Sequence, residues 1–218
     1  MQLTSYITNN FKPLSPKDNI GVAIALFESF NIDFLPIVEE GILIGCLPAD
    51  FNLLTEEKTL IRECLNDSEL FYVNRNDNLI DALRILGIND SNTVFVINNN
   101  NQYLGYITQY DVLSSLSNTP FFNELGGVII IKKPLKDYSI SEISQIVESE
   151  NGKILGILIT DFIDDDVVLT VKINRMRLGT IEASLKRFGY IILDSYHENK
   201  NIDDLQNRYN YLMSYLNV

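Results

Sequence analysis

The chain has 218 residues, 46% of them hydrophobic and 10% aromatic, which excludes wholesale disorder and suits one or two domains. No apolar run approaches the roughly 20 residues a membrane helix needs, and Met1–Tyr6 lacks the basic and apolar regions of a signal peptide. The formal charge is −12, and residues 1–118 hold six basic against fifteen acidic side chains, so no basic surface suits nucleic acid or an anionic membrane.

In chain order, the first half says one thing twice. Phe11–Pro16 and Leu70–Val73 read as short extended lead-ins. Asp18-Asn19-Ile20 and Asp77-Asn78-Leu79 then open two helices, with Asp18 and Asp77 as the expected caps. Helical spacing runs through Ile20, Ala23, Ile24 and Phe27, and through Leu79, Ala82, Leu83 and Leu86. Strands follow at Phe34–Val38 and Ile42–Leu47 across a Glu39-Glu40-Gly41 turn. In the second copy they are Thr93–Ile97 and Tyr103–Thr108, joined by the Asn98–Asn101 tract. A short helix begins near Asp50 and again near Asp111. The offset between copies is 59 residues early in the unit, 60 at the glycine and 61 at the acid. Each copy is thus a β-α-β-β-α unit, too small to bury a sufficient core alone, and paired units leave clefts.

The pattern changes at Ser117-Asn118-Thr119-Pro120. Beyond it come a strand at Gly127–Lys132, a helix through Ile140, Ile143, Ile146 and Val147, and strands at Ile154–Phe162 and Val167–Ile173 across an Asp164-Asp165-Asp166 turn. A helix through Ile181, Leu185 and Phe188 stops at Gly189, and a last strand is Tyr190–Tyr196. That β-α-β-β-α-β order is ferredoxin-like. Ile202, Leu205, Tyr209, Leu212 and Leu216 predict an amphipathic helix docking on this domain or on a second subunit. The expected fold class is α/β (α+β), with boundaries at 1–60, 61–118, 119–198 and 199–218.

Asp77-Asn78-Leu79 with Ala82, then Val94–Ile97, then Gly105-Tyr106-Ile107-Thr108-Gln109-Tyr110-Asp111 carry a resemblance to CBS domains; the last string is close to that family's G-h-h-T-x-x-D signature. The first copy matches through Asp18, Ala23, Leu35–Val38, Gly45 and Asp50. Residues 1–118 therefore resemble a CBS pair, the Bateman module. Residues 126–198 resemble an ACT domain in element order and apolar pattern. The combination is similar to regulatory proteins of the acetoin-utilisation type.

The resemblance implies a non-catalytic regulatory module that binds an adenosyl ligand: AMP, ADP, ATP or S-adenosylmethionine. Asp111 would hold the ribose hydroxyls and Thr108 the ribose or phosphate, while backbone near Val73, Val94 and Phe95 would line an adenine pocket. The physics is sound, since a carboxylate at a helix start can accept from two vicinal hydroxyls. The alternative is that Thr108 and Asp111 merely cap the helix. The first copy departs from the motif. Gly45 to Asp50 is one residue shorter than Gly105 to Asp111, and Pro48, with neither hydroxyl nor N–H, stands where a threonine would. Its site is expected to be degenerate. With Lys12, Lys17, Arg75 and Arg84 among the few cations of this half, AMP, ADP or a neutral adenosyl group suits it better than metal-free ATP.

The loop Lys133–Ser139 lacks the glycine that would let backbone approach an amino acid, so a dimerisation or docking role is the bland reading of the ACT-like half. His197 reads as a surface residue, and no metal-ligand spacing, nucleophile–base pair or phosphate loop emerges. The expectations are no enzyme and no metal, a homodimer, and a partner enzyme or transporter. Cys46 and Cys64 suit a cytoplasmic, reduced protein. The rival reading is a ligand-free scaffold.

Overall fold

The computed structural model describes residues 3–51 and 57–196. The helix expected after Asp50, His197 and the helix expected over 199–218 lie wholly or largely outside the described residues. The chain forms two compact units, Met1–Leu116 and Ser117–Val218.

In the first unit, α1 (Ile20–Phe30) leads into the hairpin β1 (Phe34–Glu39) and β2 (Ile42–Pro48). The second copy contains β3 (Val73–Asn74), α2 (Leu79–Ile88), β4 (Thr93–Ile97), β5 (Tyr103–Thr108) and α3 (Gln109–Ser117). β3 runs parallel to β4, and β5 antiparallel. The first lead-in is slighter, a single parallel bridge from Leu14 to Ile37. The helix caps correct the sequence expectation: Asn19 and Asn78, not the preceding aspartates, accept from the free N–H groups of α1 and α2. Asp18 and Asp77 instead accept from Ser15 N–H and Asn74 N–H, each at 2.8 Å, closing the turn before the cap.

The two copies meet about a local pseudo-two-fold. Tyr103 N–H donates to the Gly41 carbonyl and Leu43 N–H to the Asn101 carbonyl, bonds between equivalent positions. The residues just before each lead-in cross to the other copy. Thr8 exchanges two backbone hydrogen bonds with Tyr106 on β5, and Glu69 exchanges two with Cys46 on β2. The crossing explains the motif glycines. A Cβ on Gly105, whose φ is +146, would lie 2.4 Å from the Thr8 carbonyl oxygen, and one on Gly45 would lie 2.5 Å from Ser68 Oγ. One continuous core, from Leu3 and Leu14 to Ile107 and Val112, fills both copies.

The second unit has the ferredoxin-like order. β6 (Gly127–Pro134), α5 (Ile140–Ser149), β7 (Ile154–Ile163), β8 (Asp166–Ile173), α6 (Gly179–Arg187) and β9 (Ile191–Tyr196) form an antiparallel sheet ordered β7-β8-β6-β9. One face packs on the helices: Ile129, Ile131, Leu169 and Val171 against Ile143, Val147, Ile181 and Leu185. Gly189, at φ +81, ends α6 in a Schellman motif, with Gly189 N–H on the Lys186 carbonyl and Tyr190 N–H on the Leu185 carbonyl. A one-turn helix not expected from the sequence, α4 (Pro120–Asn123), precedes β6. Its residue Phe121 lies against Gly156 of β7, where any Cβ would collide with the ring.

Candidate functional site

The turn from β5 into α3 carries the second copy's motif. Thr108 ends the strand, and the chain enters the helix at once. Thr108 Oγ1 donates to Asp111 Oδ2 at 2.5 Å, Thr108 N–H donates to the same oxygen at 3.2 Å, and Asp111 N–H donates back to Thr108 Oγ1 at 3.1 Å. T-x-x-D is thus a capping box in which the acid stands in for the usual glutamate. Both side chains are half-buried. The Asp111 carboxylate is therefore held by two donors from one residue, at the positive end of a helix.

Of the expected lining residues, Val94 and Phe95 lie toward the Thr108 end of β4, whereas Val73 pairs with Val96 further along it. Thr93, the first residue of β4, is the ladder partner of Thr108. Val94 and Phe95 follow, paired with Ile107 and Tyr106. Their side chains and that of Val73 are buried in the core, so only their backbone could meet a ligand. β3 is two residues long and pairs with Val96 and Ile97, which leaves Val94 and Phe95 beyond its ladder. Sequence reasoning missed Thr93. Its hydroxyl oxygen is buried and has no hydrogen-bond partner among the described residues, although its N–H donates to Ser91 Oγ at 3.2 Å. The signal was the polar first residue of an otherwise apolar run.

The first copy's counterpart is different. Pro48 ends β2 opposite Phe34, and Pro48 and Asp50 line a cavity of about 320 Å³ together with Asp33 and Asp90. Three carboxylates with no cation among its lining residues oppose a phosphate there. At the far end of β4 from Thr108, Arg75, Asp77 and Asn98–Asn100 line a polar cavity of about 630 Å³.

In the second unit, Lys133 lies near the end of β6, at the start of the expected Lys133–Ser139 loop, and is paired in the ladder with Val167. Its Nζ lies 2.8 Å from Glu142 Oε2, donates to the Phe188 carbonyl at 3.0 Å, and sits 4.0 Å from the centre of the Tyr190 ring. The Lys133 ammonium, and after it the Tyr190 hydroxyl, hold the Glu142 carboxyl below its ordinary range. Burial, and then Glu142, push the Tyr190 hydroxyl up to about 12. The half-buried Lys133 ammonium is thus already engaged.

Among the described residues, no group of three or more His, Cys, Asp or Glu side chains is placed to hold a metal ion. No helix among them is long and apolar enough to cross a membrane. Cys46 and Cys64 are buried, and burial pushes the Cys46 thiol up to about 12.

Residues 61–118 match the family model described as the CBS domain. The matched segment contains β3, α2, β4, β5, α3 and the Thr108–Asp111 pair. Among solved structures, the chain is similar to a CBS domain pair/ACT domain protein from Thermotoga maritima, with 16% identity, 53% of this chain and 96% of that one covered, and a TM-score of 0.49. It is also similar to the CBS domains of a transcriptional regulator from Streptococcus pneumoniae, with 17% identity, coverage of 52% and 98%, and a TM-score of 0.47. A third similar structure is CBSX2 in complex with AMP, with 17% identity, coverage of 53% and 95%, and a TM-score of 0.41.

Proposed function

We propose that the first unit is a CBS pair that senses an adenosyl ligand at the β5–α3 turn, and that the protein regulates rather than catalyses. The observation that carries this reading is the half-buried Asp111 carboxylate, held at a helix start by Thr108, the ladder partner of Thr93. A ligand with two vicinal hydroxyls would replace the Thr108 hydroxyl on Asp111, freeing that hydroxyl for the ribose or a phosphate. The match of residues 61–118 to the CBS domain supports the assignment. One site per chain is proposed, because Pro48 offers no hydroxyl and its cavity is lined by carboxylates. For the same electrostatic reason, AMP, ADP or a neutral adenosyl group is favoured over metal-free ATP. The second unit serves as an ACT-like domain for homodimerisation or transmission, in a cytoplasmic protein with a partner enzyme or transporter. The Lys133 ammonium at the end of β6 is committed to Glu142 and the Phe188 carbonyl, which supports docking over amino-acid binding.

The experiment is calorimetric titration of AMP, ADP, ATP and S-adenosylmethionine into wild type and Asp111→Asn. Asparagine keeps an acceptor for the cap and removes the charge. Binding by wild type and its loss in the variant supports the sensor.

A second reading has its own observation. The capping box accounts for Thr108 and Asp111 without any ligand. On that reading the unit is a scaffold, and neither protein binds any of the four compounds.

A further inference from the structure

Thr93 of β4 faces Thr108 of β5 in the ladder, and neither bonds the other through its backbone. Thr93 N–H donates to Ser91 Oγ at 3.2 Å, and the Thr93 carbonyl accepts from the same Oγ at 2.7 Å. Thr108 N–H turns to Asp111 Oδ2. The bond that closes this end of the ladder runs one residue outside the pair, from Gln109 N–H to the Asn92 carbonyl. Thr93 and Thr108 are therefore a non-hydrogen-bonded pair. In such a pair the two side chains stand on one face of the sheet at closest approach, with Cβ atoms roughly 4.5–5.5 Å apart.

The two hydroxyls on that face differ. Thr108 Oγ1 donates to Asp111 Oδ2 at 2.5 Å. Thr93 is 2% exposed, and its buried Oγ1 has no hydrogen-bond partner among the described residues. A buried hydroxyl without a partner costs stability, and valine would fill the same shape without that cost. The first copy supplies the contrast. There the equivalent row is Phe34 opposite Pro48, closed in the same way by Ala49 N–H on the Asp33 carbonyl. The copy with T-x-x-D carries a hydroxyl on both strands, and the copy without it carries none.

We propose that Thr93 is a positioning residue of the β5–α3 site, and that its hydroxyl engages Thr108 when a vicinal diol takes the place of Thr108 on Asp111. This rests on the adenosyl reading above. Released from Asp111 Oδ2, the Thr108 side chain turns towards Thr93 across the pair and accepts the proton of its hydroxyl. The Thr108 proton is then left for the ribose or a phosphate. The free protein carries the cost of the unpartnered hydroxyl and the bound protein does not. Binding gains this bond without breaking another at Thr93.

The test uses the full chain as wild type, Thr93→Val, Thr93→Ser and Asp111→Asn. Each is unfolded in urea without ligand and titrated by calorimetry with AMP, ADP, ATP and S-adenosylmethionine. Valine keeps the branched shape and removes the hydroxyl; serine keeps the hydroxyl and removes a methyl group. The proposal predicts that Thr93→Val unfolds at the same or higher urea than wild type yet binds about fivefold more weakly, the worth of one neutral hydrogen bond. Thr93→Ser should unfold at lower urea and bind as wild type does. A residue that only packs would move affinity and stability together, which would overturn the proposal. Wild-type affinity in Thr93→Val, with binding lost in Asp111→Asn, would leave the adenosyl site standing and overturn the role of Thr93. A lower urea midpoint for Thr93→Val would show the hydroxyl already bonded in the free protein and overturn it too. No binding to wild type would overturn the adenosyl reading and this role with it.

Discussion

Asp33 and Asn92 hold each other across the two copies of the first unit. Asp33 N–H donates to Asn92 Oδ1 at 3.1 Å, and Asn92 N–H donates to Asp33 Oδ2 at 2.8 Å. The residues are 59 apart, which is the repeat offset, so each is the other's counterpart. Both enter the first hairpin strand of their copy, and the backbone repeats the relationship: Ala49 N–H bonds the Asp33 carbonyl, and Gln109 N–H bonds the Asn92 carbonyl. Because the pair is reciprocal, its members should not act independently. Asp33→Ala and Asn92→Ala should each cost about 1 kcal/mol, and the double variant less than the sum by about 0.5 kcal/mol or more. Urea unfolding of the four proteins measures this, and strict additivity would contradict the pairing.

The two motif glycines should differ in tolerance. Gly105 combines φ +146 with a backbone oxygen 2.4 Å from its absent Cβ. Gly45 meets a serine side chain, which can turn away. Gly105→Ala should cost about 3 kcal/mol or more, and Gly45→Ala about 1 kcal/mol. Thermal or urea denaturation orders them, and equal costs would contradict the crossing described at Thr8.

Much of this architecture is legible in the chain, and what is not has a physical cause. The strands Thr93–Ile97 and Tyr103–Thr108 appear where the apolar runs and the Asn98–Asn101 turn put them, because apolar pattern and turn chemistry agree. The cap assignment slipped by one residue. Asp-Asn offers two acceptors in succession, and only the backbone path shows that the asparagine meets the helix while the aspartate closes the turn. The crossing of the segments before each lead-in involves backbone groups of Thr8 and Glu69, which have no sequence signature. At the candidate site, Thr108 and Asp111 were readable from the motif, whereas the orphaned hydroxyl of Thr93 depends on burial. α4 was missed because a four-residue helix has no periodicity to read.

Stability of the second unit should depend on pH through Glu142 and Tyr190. An acid depressed in the fold adds stability that is complete above its ordinary value, 4.5, and is lost as pH falls through the lower folded value. With 32% of the side chain exposed, the loss should be only about 0.5 kcal/mol, and Glu142→Gln should flatten it. Tyr190 has the opposite sense. Its hydroxyl is raised from 10.0 to about 12, so its contribution is complete below pH 10 and is lost as pH rises towards 12. Urea midpoints measured against pH test both limbs; an acid limb unchanged by Glu142→Gln would contradict the Lys133 pairing.

Asp111 has a structural role whether or not a ligand binds. Asp111→Ala removes the acceptor of the Thr108 N–H and hydroxyl and should cost about 1 kcal/mol, while Asp111→Asn should cost a few tenths. Denaturant unfolding of both variants checks this. The near-neutral stability of Asp111→Asn makes it the cleaner probe of binding.

The central claim, that the β5–α3 turn of the first unit is an adenosyl site, is tested most directly by titrating AMP, ADP, ATP and S-adenosylmethionine into folded wild type and folded Asp111→Asn by calorimetry. The account predicts binding of at least one compound at a single site per chain, weakened about tenfold or more by the substitution, since a lost charge-assisted hydrogen bond is worth roughly 1.5–3 kcal/mol. Absence of binding to wild type, or equal binding to both proteins, would contradict it.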